Sequence, residues 1–275
     1  MSRLEKAIEV ATRKRSQTGD APPPLDPSPA SPEKAKTPGQ TKPLKPLIKV
    51  ENPYLVMAND QNSLAAEQYR KLKSLVVKLT KMGELGKALM VTSSIANEGK
   101  TITSINLAIS LAEEFDHTVL LVEADVRKPS ILNYLGIKAE KGLTDCVIDG
   151  LDISDVLVKT GLGGLTILPA GKRVDNPVEL FSSNRMHQLM SEIMSRYSDR
   201  YVIVDTTPLL PFAEPHYMAN IIGNVLLVVR EGVTSPDKLK RSLEILKNNN
   251  LLGVVSNGVT RVSSMQGYYG YYGYQ

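Results

Sequence analysis

Residues 88–101 read ALMVTSSIANEGKT: an apolar run, a short polar turn and a Gly-Lys-Thr triplet. The apolar run predicts a buried strand, and the periodicity beyond the triplet predicts a helix near 101–114. A strand, a turn and a helix in this order are typical of phosphate-binding P-loops, whose pattern is G-x-x-x-x-G-K-[ST]. Gly99, Lys100 and Thr101 match the pattern, and Ser94 stands where the first glycine is expected.

The chemistry of such a turn explains why these residue types recur. Backbone N–H groups of the turn point at phosphate, Gly99 permits the close approach, and the following helix N-terminus favours an anion. Lys100 would neutralise the β- and γ-phosphates, and Thr101 would ligate Mg²⁺. A chance Gly-Lys-Thr in a turn is the alternative.

Two further strands end in carboxylates. Residues 202–208, VIVDTTP, are an apolar strand followed by Asp205, the Walker B arrangement for holding Mg²⁺. Residues 119–129, VLLVEADVRKP, end in Glu123 and Asp125, which strand alternation sends to one side. A surface salt bridge is possible for either residue alone. Ligands of open α/β sheets bind beyond the carboxyl ends of strands, so we expect all three acids near the turn.

Strand-like and helical segments alternate along the chain. The predicted strands are 88–92, 118–123, 165–168, 201–205, 224–229 and 253–257, and the predicted helices are 63–79, 101–114, 184–197 and 235–248. Unbroken apolar strands that alternate with helices predict a parallel sheet buried on both faces. The expected fold class is therefore α/β, a P-loop NTPase fold with a mostly parallel sheet and helices on both faces.

The chain divides into three predicted regions. Residues 1–47 comprise a short amphipathic helix and a Pro-rich linker, 48–262 the folded domain, and 263–275 a flexible tail. The N-terminal helix would dock on a partner or a membrane surface, and a frayed polar helix is the alternative.

Charge and composition exclude several functions. Residues 1–50 contain ten Lys and Arg against five Asp and Glu, whereas the remainder contains 23 against 24. The body therefore lacks the net basic charge typical of a nucleic-acid-binding domain, and no nucleic-acid partner is predicted. The lone Cys146 cannot form an internal disulfide, which favours a reducing compartment, and we interpret it as a core residue. No apolar run reaches the ~18 residues that span a bilayer, so membrane association would require a partner.

These motifs together resemble the bacterial tyrosine kinases, the cytoplasmic autokinases of capsule and exopolysaccharide export. The resemblance covers about residues 48–275 and includes an extra Walker A′ motif at 119–129. The Pro-rich N-terminal extension resembles the exosortase-associated subgroup.

The resemblance implies an ATP- and Mg²⁺-dependent protein-tyrosine kinase in which Lys100, Asp125 and Asp205 are catalytic. It implies nucleotide contacts by Ser94, Ala96, Asn97, Glu98, Gly99, Lys100, Thr101 and Ile102. It implies metal contacts by Thr101, Glu123, Asp125 and Asp205, with Glu123 standing where the family usually has Asp.

The resemblance also implies partners. Glu67, Arg70 and Lys73 are similar to the family's ExxRxxR self-association motif and imply a homo-oligomeric ring; a solvated helix face is the alternative. A membrane-embedded polysaccharide chain-length protein is the implied activator. We therefore expect a cytoplasmic protein held at the inner membrane through that partner.

Five of the eleven tyrosines lie within the last eight residues, YYGYYGYQ. The predicted phosphoacceptors are Tyr268, Tyr269, Tyr271, Tyr272 and Tyr274. Glycine spacers favour a flexible segment that reaches another subunit's site. A sticky aromatic tail for partner binding is the alternative.

Two other functions compete with the kinase. A partitioning-type ATPase shares the P-loop and the parallel sheet, but that group usually carries an additional Lys early in the turn, and SSIANEGKT has none. The other alternative is a non-catalytic scaffold that binds nucleotide and a membrane partner, and the presence of Lys100, Thr101, Asp125 and Asp205 argues against it.

Overall fold

The computed structural model describes residues 50–114, 117–196 and 200–260. The predicted N-terminal helix and linker, and the tyrosine tail, lie outside the described residues. Within the described ranges the strands are β1 (Ala88–Ser93), β2 (Thr118–Glu123), β3 (Val158–Lys159), β4 (Leu165–Leu168), β5 (Arg200–Asp205), β6 (Asn224–Arg230) and β7 (Asn250–Asn257).

Helices occupy most of the connections between strands. They are α1 (Val56–Asn59), α2 (Leu64–Lys81), α3 (Lys100–Ala112), α4 (Ile131–Leu135), α5 (Leu143–Asp149), α6 (Ile153–Val156), α7 (Pro177–Ser182), α8 (Asn184–Ser195), α9 (Glu214–Ile222) and α10 (Pro236–Ile245). None of these helices is both long and apolar enough to cross a bilayer.

The strands form one sheet in the order β3-β4-β2-β5-β1-β6-β7. Every neighbouring pair is parallel except β3 with β4. The predicted fold class, a mostly parallel α/β sheet, is confirmed. β5 lies between β1 and β2, and its last residue, Asp205, pairs with Val91 on one side and with Glu123 on the other. The carboxyl ends of three strands therefore meet where the P-loop turn begins.

Strand side chains alternate between two apolar cores, one on each face of the sheet. Met90, Val122 and Val204 are buried on one face, with the apolar side of α8 and α9. Val91 and Leu121 are buried on the other, with the apolar residues of α3. Burial on both faces explains why these strands read as unbroken apolar runs rather than as alternating ones.

The predicted long elements occur within a few residues of their predicted bounds. The sequence patterns do not indicate β3 or the helices α1, α4, α5, α6, α7 and α9. β3 has only two residues, too few to display a period of two. α9 begins with Glu-Pro, and the proline is tolerated because the first helical turn needs no internal N–H donor.

Candidate active site

The P-loop turn connects β1 to α3. Gly99 has φ of +93°, a left-handed conformation that favours glycine, and a Cβ there would overlap the side-chain amide of Asn257. Asn97 also has a positive φ, +65°. α3 begins at Lys100, so its first N–H groups and its positive dipole end lie at the turn. This is the geometry in which a phosphate group binds.

The predicted nucleotide-contacting residues range from exposed to fully buried. Ala96 and Asn97 are exposed, whereas Ser94 and Glu98 are buried. The Glu98 carboxylate accepts a hydrogen bond from Ile95 N–H at 2.8 Å, which connects the beginning and the end of the turn. The Ser94 hydroxyl is 2.8 Å from that of Ser242 in α10. The side chains of Ser94 and Glu98 therefore shape the turn from inside the protein.

Lys100 lies between the two acids that follow β2 and β5. Its Nζ is 2.7 Å from Asp125 Oδ2 and 3.6 Å from Asp205 Oδ2. Asp125 also accepts a hydrogen bond from Lys128 N–H at 3.0 Å, which fixes its orientation. The structure thus brings together the three residues predicted to be catalytic.

Burial and charge oppose each other at this cluster. Burial lowers the pKa of Lys100, but the charges of Asp205 and Asp125 outweigh it and the Lys100 pKa is raised. Burial raises the pKa of Asp205 above its usual value, although Lys100 and the Thr101 hydroxyl oppose that rise. One cation between two buried carboxylates leaves a net negative charge, which suits a cation such as Mg²⁺.

Asp205 lies at the bottom of the site among hydroxyl groups. Thr101 Oγ1 donates to Asp205 Oδ2 at 2.8 Å, and Ser104 Oγ is 2.9 Å from Asp205 Oδ1. Hydroxyl and carboxylate oxygens are hard donors that fit Mg²⁺, which uses one or two carboxylates together with phosphate oxygens and water. Within the described residues no group of three or more His, Cys, Asp or Glu is arranged to hold a metal ion.

Glu123 occupies a different environment from Asp125. Its Oε1 accepts hydrogen bonds from Ser130 N–H and Ile131 N–H, the latter at 2.6 Å, at the start of α4. Its Oε2 lies 3.4 Å from Ala170 N. Burial raises the Glu123 pKa, against these backbone donors. Metal binding by Glu123 stays a prediction, and it would compete with three backbone contacts.

The predicted self-association residues lie on α2. Arg70 pairs with Glu67 at 2.8 Å and also donates to the Gln61 carbonyl, while Lys73 pairs with Glu114 at 3.2 Å. All three form contacts within the chain, and their role between chains stays a prediction.

The predicted core role of Cys146 is confirmed, because it is buried in α5. Burial and neighbouring acids, Asp145 first among them, raise the pKa of its thiol to about 11. The five predicted phosphoacceptor tyrosines lie outside the described residues.

Several site residues are not indicated by the sequence patterns. Ser104 follows Thr101 by three positions, so helical spacing alone would have put both hydroxyls on the face toward Asp205. Arg127, in the Walker A′ segment, donates to the buried Glu214 at 2.6 Å and lies over the Phe212 ring. No local pattern joins residues so far apart, so this link between the loop after β2 and the start of α9 is visible only in the fold.

The fold and the site define a P-loop nucleotide-binding protein with a mostly parallel sheet. A family model described as an AAA domain matches residues 90–232. The tyrosine-protein kinase YwqD of Bacillus subtilis is 30% identical over 218 residues, which cover 78% of this chain and 90% of that protein. The tyrosine-protein kinase etk of Escherichia coli K12 is 31% identical over 214 residues, or 77% of this chain but only 29% of that protein.

The solved kinase domain of Escherichia coli ETK superposes with a TM-score of 0.69 at 29% identity, covering 81% of this chain and 84% of the domain. The chain belongs to the bacterial tyrosine-protein kinases.

Proposed function

We propose that this chain transfers the γ-phosphoryl group of ATP to protein tyrosines, chiefly those of its own C-terminal tail, and that the transfer occurs between copies of the chain. The observation that carries the proposal is the position of Lys100 between Asp125 and Asp205 at the end of the P-loop turn. Phosphoryl transfer requires a phosphate-binding cation, a metal-holding acid and an acid facing the attacking hydroxyl. These three residues have the chemistry for those roles.

The turn and Lys100 would bind the phosphates of ATP. Backbone N–H groups of the turn and the start of α3 would contact the phosphate oxygens, and the Lys100 ammonium would pair with the β- and γ-phosphates. That pairing competes with the 2.7 Å contact between Lys100 and Asp125. Nucleotide binding therefore weakens the hold of Lys100 on Asp125 and leaves the carboxylate available to an incoming hydroxyl.

Thr101 and Asp205 are the residues that would hold Mg²⁺. Their side-chain oxygens are 2.8 Å apart, and the Asp205 side chain is only 1% exposed. When bound, Mg²⁺ supplies neutralisation of the negative charge on the transferring phosphates. The depth of Asp205 suits a residue that never contacts the protein substrate.

Asp125 is the residue that would face the tyrosine. Its side chain is 8% exposed, nearer the opening than Asp205, and the Lys128 N–H holds it in place. In the reaction the phenol oxygen forms a bond to the γ-phosphorus while the bond from that phosphorus to the β–γ bridging oxygen breaks, which releases ADP. The phenol proton passes to the Asp125 carboxylate and then to solvent. A phenol pKa near 10 makes such an acceptor useful near neutral pH.

The tail would supply the acceptors. Its five tyrosines, spaced by Gly270 and Gly273, follow the last described residue, Thr260, by eight or more positions. A segment of this length and composition can enter the site of a neighbouring subunit. Self-association through the α2 face would bring such a neighbour within reach.

The family resemblance supports a cellular role as well. We infer that the kinase regulates exopolysaccharide biosynthesis and export, and that a membrane-embedded chain-length protein activates it from the inner membrane. The basic N-terminal region, residues 1–50, offers a contact segment for that partner or for the membrane surface.

Incubation of the purified full chain with ATP and Mg²⁺, followed by phosphotyrosine blotting, tests the proposal. Wild-type protein should be labelled, and Lys100→Met should not. In a mixture, wild-type protein truncated after residue 262 should label the tail of full-length Lys100→Met, because transfer occurs between chains. Labelling of full-length wild type by itself, with no labelling of Lys100→Met in the mixture, would contradict transfer between chains. ATP hydrolysis with no phosphotyrosine, even with the membrane partner's cytoplasmic segment added, would favour the partitioning-type ATPase.

A further inference from the structure

Three side chains from the β6–β7 edge of the sheet reach back to the P-loop turn. Asn257, the last residue of β7, donates its side-chain amide to the Glu98 carbonyl at 2.9 Å. Arg230, the last residue of β6, donates from Nη1 to the Asn97 carbonyl at 3.3 Å. The Thr234 hydroxyl donates to the Glu98 carboxylate and accepts from Arg230 N–H at 2.9 Å. All three residues are separate from the cluster of Lys100, Asp125 and Asp205.

The Asn257 and Arg230 contacts act on successive peptide units of the turn. In a planar trans peptide the carbonyl and the N–H of the next residue point in opposite directions. A donor that holds the Glu98 carbonyl on the β7 side therefore points Gly99 N–H the other way. By the same argument, Arg230 at the Asn97 carbonyl directs Glu98 N–H away from the β6 side.

The turn needs such support because its conformation is unusual. Among the described residues, Asn97 is the only non-glycine residue with a positive φ, and Gly99 also has a positive φ. Residues in such conformations persist only where their surroundings hold them. Arg230 donates to the Asn97 carbonyl and Asn257 donates to the Glu98 carbonyl. The two peptide units that flank Glu98 are therefore both held. The amide of Asn257 also occupies the space that a Cβ on Gly99 would need.

We propose that Asn257, supported by Arg230 and Thr234, is a positioning residue that holds the Glu98–Gly99 peptide with its N–H toward the bound phosphates. It acts through the turn and does not take part in phosphoryl transfer. The proposal rests on the proposed function, in which the turn binds the phosphates of ATP. Its consequence is that Asn257 sets the affinity for nucleotide while leaving the rate of transfer at saturating ATP unchanged.

Substitution of Asn257 by Leu tests this, because Leu is similar in size and donates no hydrogen bond. Asn250→Leu is the matched control: Asn250 begins the same strand, donates its side-chain amide to the Glu84 carbonyl at 3.0 Å, and lies at the opposite end from the turn. Titration of each full-length protein with ATP in Mg²⁺ gives Kd, and differential scanning fluorimetry gives Tm. Asn257→Ala, which removes the amide without adding bulk, is measured in parallel.

Asn257→Leu and Asn257→Ala should bind ATP about tenfold more weakly than wild type, the effect of losing one hydrogen bond. Asn250→Leu should bind like wild type, even where its Tm falls. In the blotting assay Asn257→Ala should raise KM for ATP and leave kcat within about twofold. Unchanged Kd in both Asn257 variants, or an equal loss in Asn250→Leu, overturns the positioning role. Failure of wild-type protein to bind ATP would instead overturn the proposed function.

Discussion

At the scale of single residues, the site depends on one cation balancing two buried carboxylates. Lys100 contacts both Asp125 and Asp205, and all three side chains are at most 12% exposed. Removing one partner of a buried ion pair is costly because the remaining charge is left without compensation. The same residues that would bind nucleotide therefore also determine the stability of the free protein.

Lys100→Met should lower the free energy of unfolding by about 3 kcal/mol, because Asp125 and Asp205 would then face each other without a cation. Adding Asp125→Asn to Lys100→Met should recover part of that loss, since one of the two charges is removed. Urea unfolding followed by circular dichroism measures both. A double variant less stable than Lys100→Met alone would show that the charge balance is not what stabilises this cluster.

At the scale of elements, Glu123 links the end of β2 to the start of α4. Its carboxylate accepts hydrogen bonds from Ser130 N–H and Ile131 N–H, donors that a helix start otherwise leaves unpaired. A buried N–H without an acceptor costs more than the bond itself contributes. The contacts of Glu123 thus favour a structural role beside the metal-binding role that the family resemblance implies.

Substitution by Gln distinguishes the two roles of Glu123, because Gln keeps a hydrogen-bond acceptor but lacks the negative charge of a metal ligand. Glu123→Ala should lower the free energy of unfolding by about 1–3 kcal/mol, while Glu123→Gln, whose carbonyl still accepts from the start of α4, should lose less. If Glu123 only caps α4, Glu123→Gln should keep wild-type affinity for Mg²⁺ with ADP, measured by calorimetry. A large loss of Mg²⁺ affinity in Glu123→Gln, with stability retained, would make Glu123 a metal ligand.

The pH dependence of the same pair of proteins provides a second readout. Burial raises the pKa of Glu123, so its contribution to stability is fully present below the pKa of the unfolded chain and is lost as pH rises through the folded-state pKa. Gln does not titrate. The unfolding free energy of Glu123→Gln relative to wild type should therefore increase between pH 4 and pH 7, and urea unfolding at the two pH values measures it. A difference that stays constant would contradict the raised pKa.

At the scale of the whole molecule, we expect the proposed chemistry to be coupled to assembly through charge. Each phosphotyrosine adds about −1.5 to −2 charges, so five would place about −8 to −10 on the tail. We expect this repulsion to loosen self-association. Light scattering before and after ATP addition should show wild-type assemblies becoming smaller, whereas a tail with all five tyrosines replaced by Phe should not respond. A Tyr→Phe protein whose assembly and ATP response match wild type would refute the coupling.

Much of the fold was predictable because its signals are local. The strand from Ala88 and the helix from Lys100 have periodicities that a window of a dozen residues reveals. The convergence of Lys100, Asp125 and Asp205 was predictable as well, since parallel strands bring their carboxyl ends to one edge. Glu123 was harder to place: alternation puts it beside Asp125, but its contacts are made by backbone groups at the start of α4 and in the segment after β4.

The α/β class, the P-loop turn and the acids that would serve it could be predicted from the amino-acid sequence, because each depends on residue type and short spacing. The folded arrangement was needed to see that Asp125 and Asp205 face Lys100, that Glu123 accepts hydrogen bonds at the start of a helix, and that Asn257 contacts the turn from 158 positions beyond Gly99. The physical reason is that hydrogen bonds and ion pairs depend on distances of a few ångströms in space, and strand order brings those groups together without leaving a pattern along the chain.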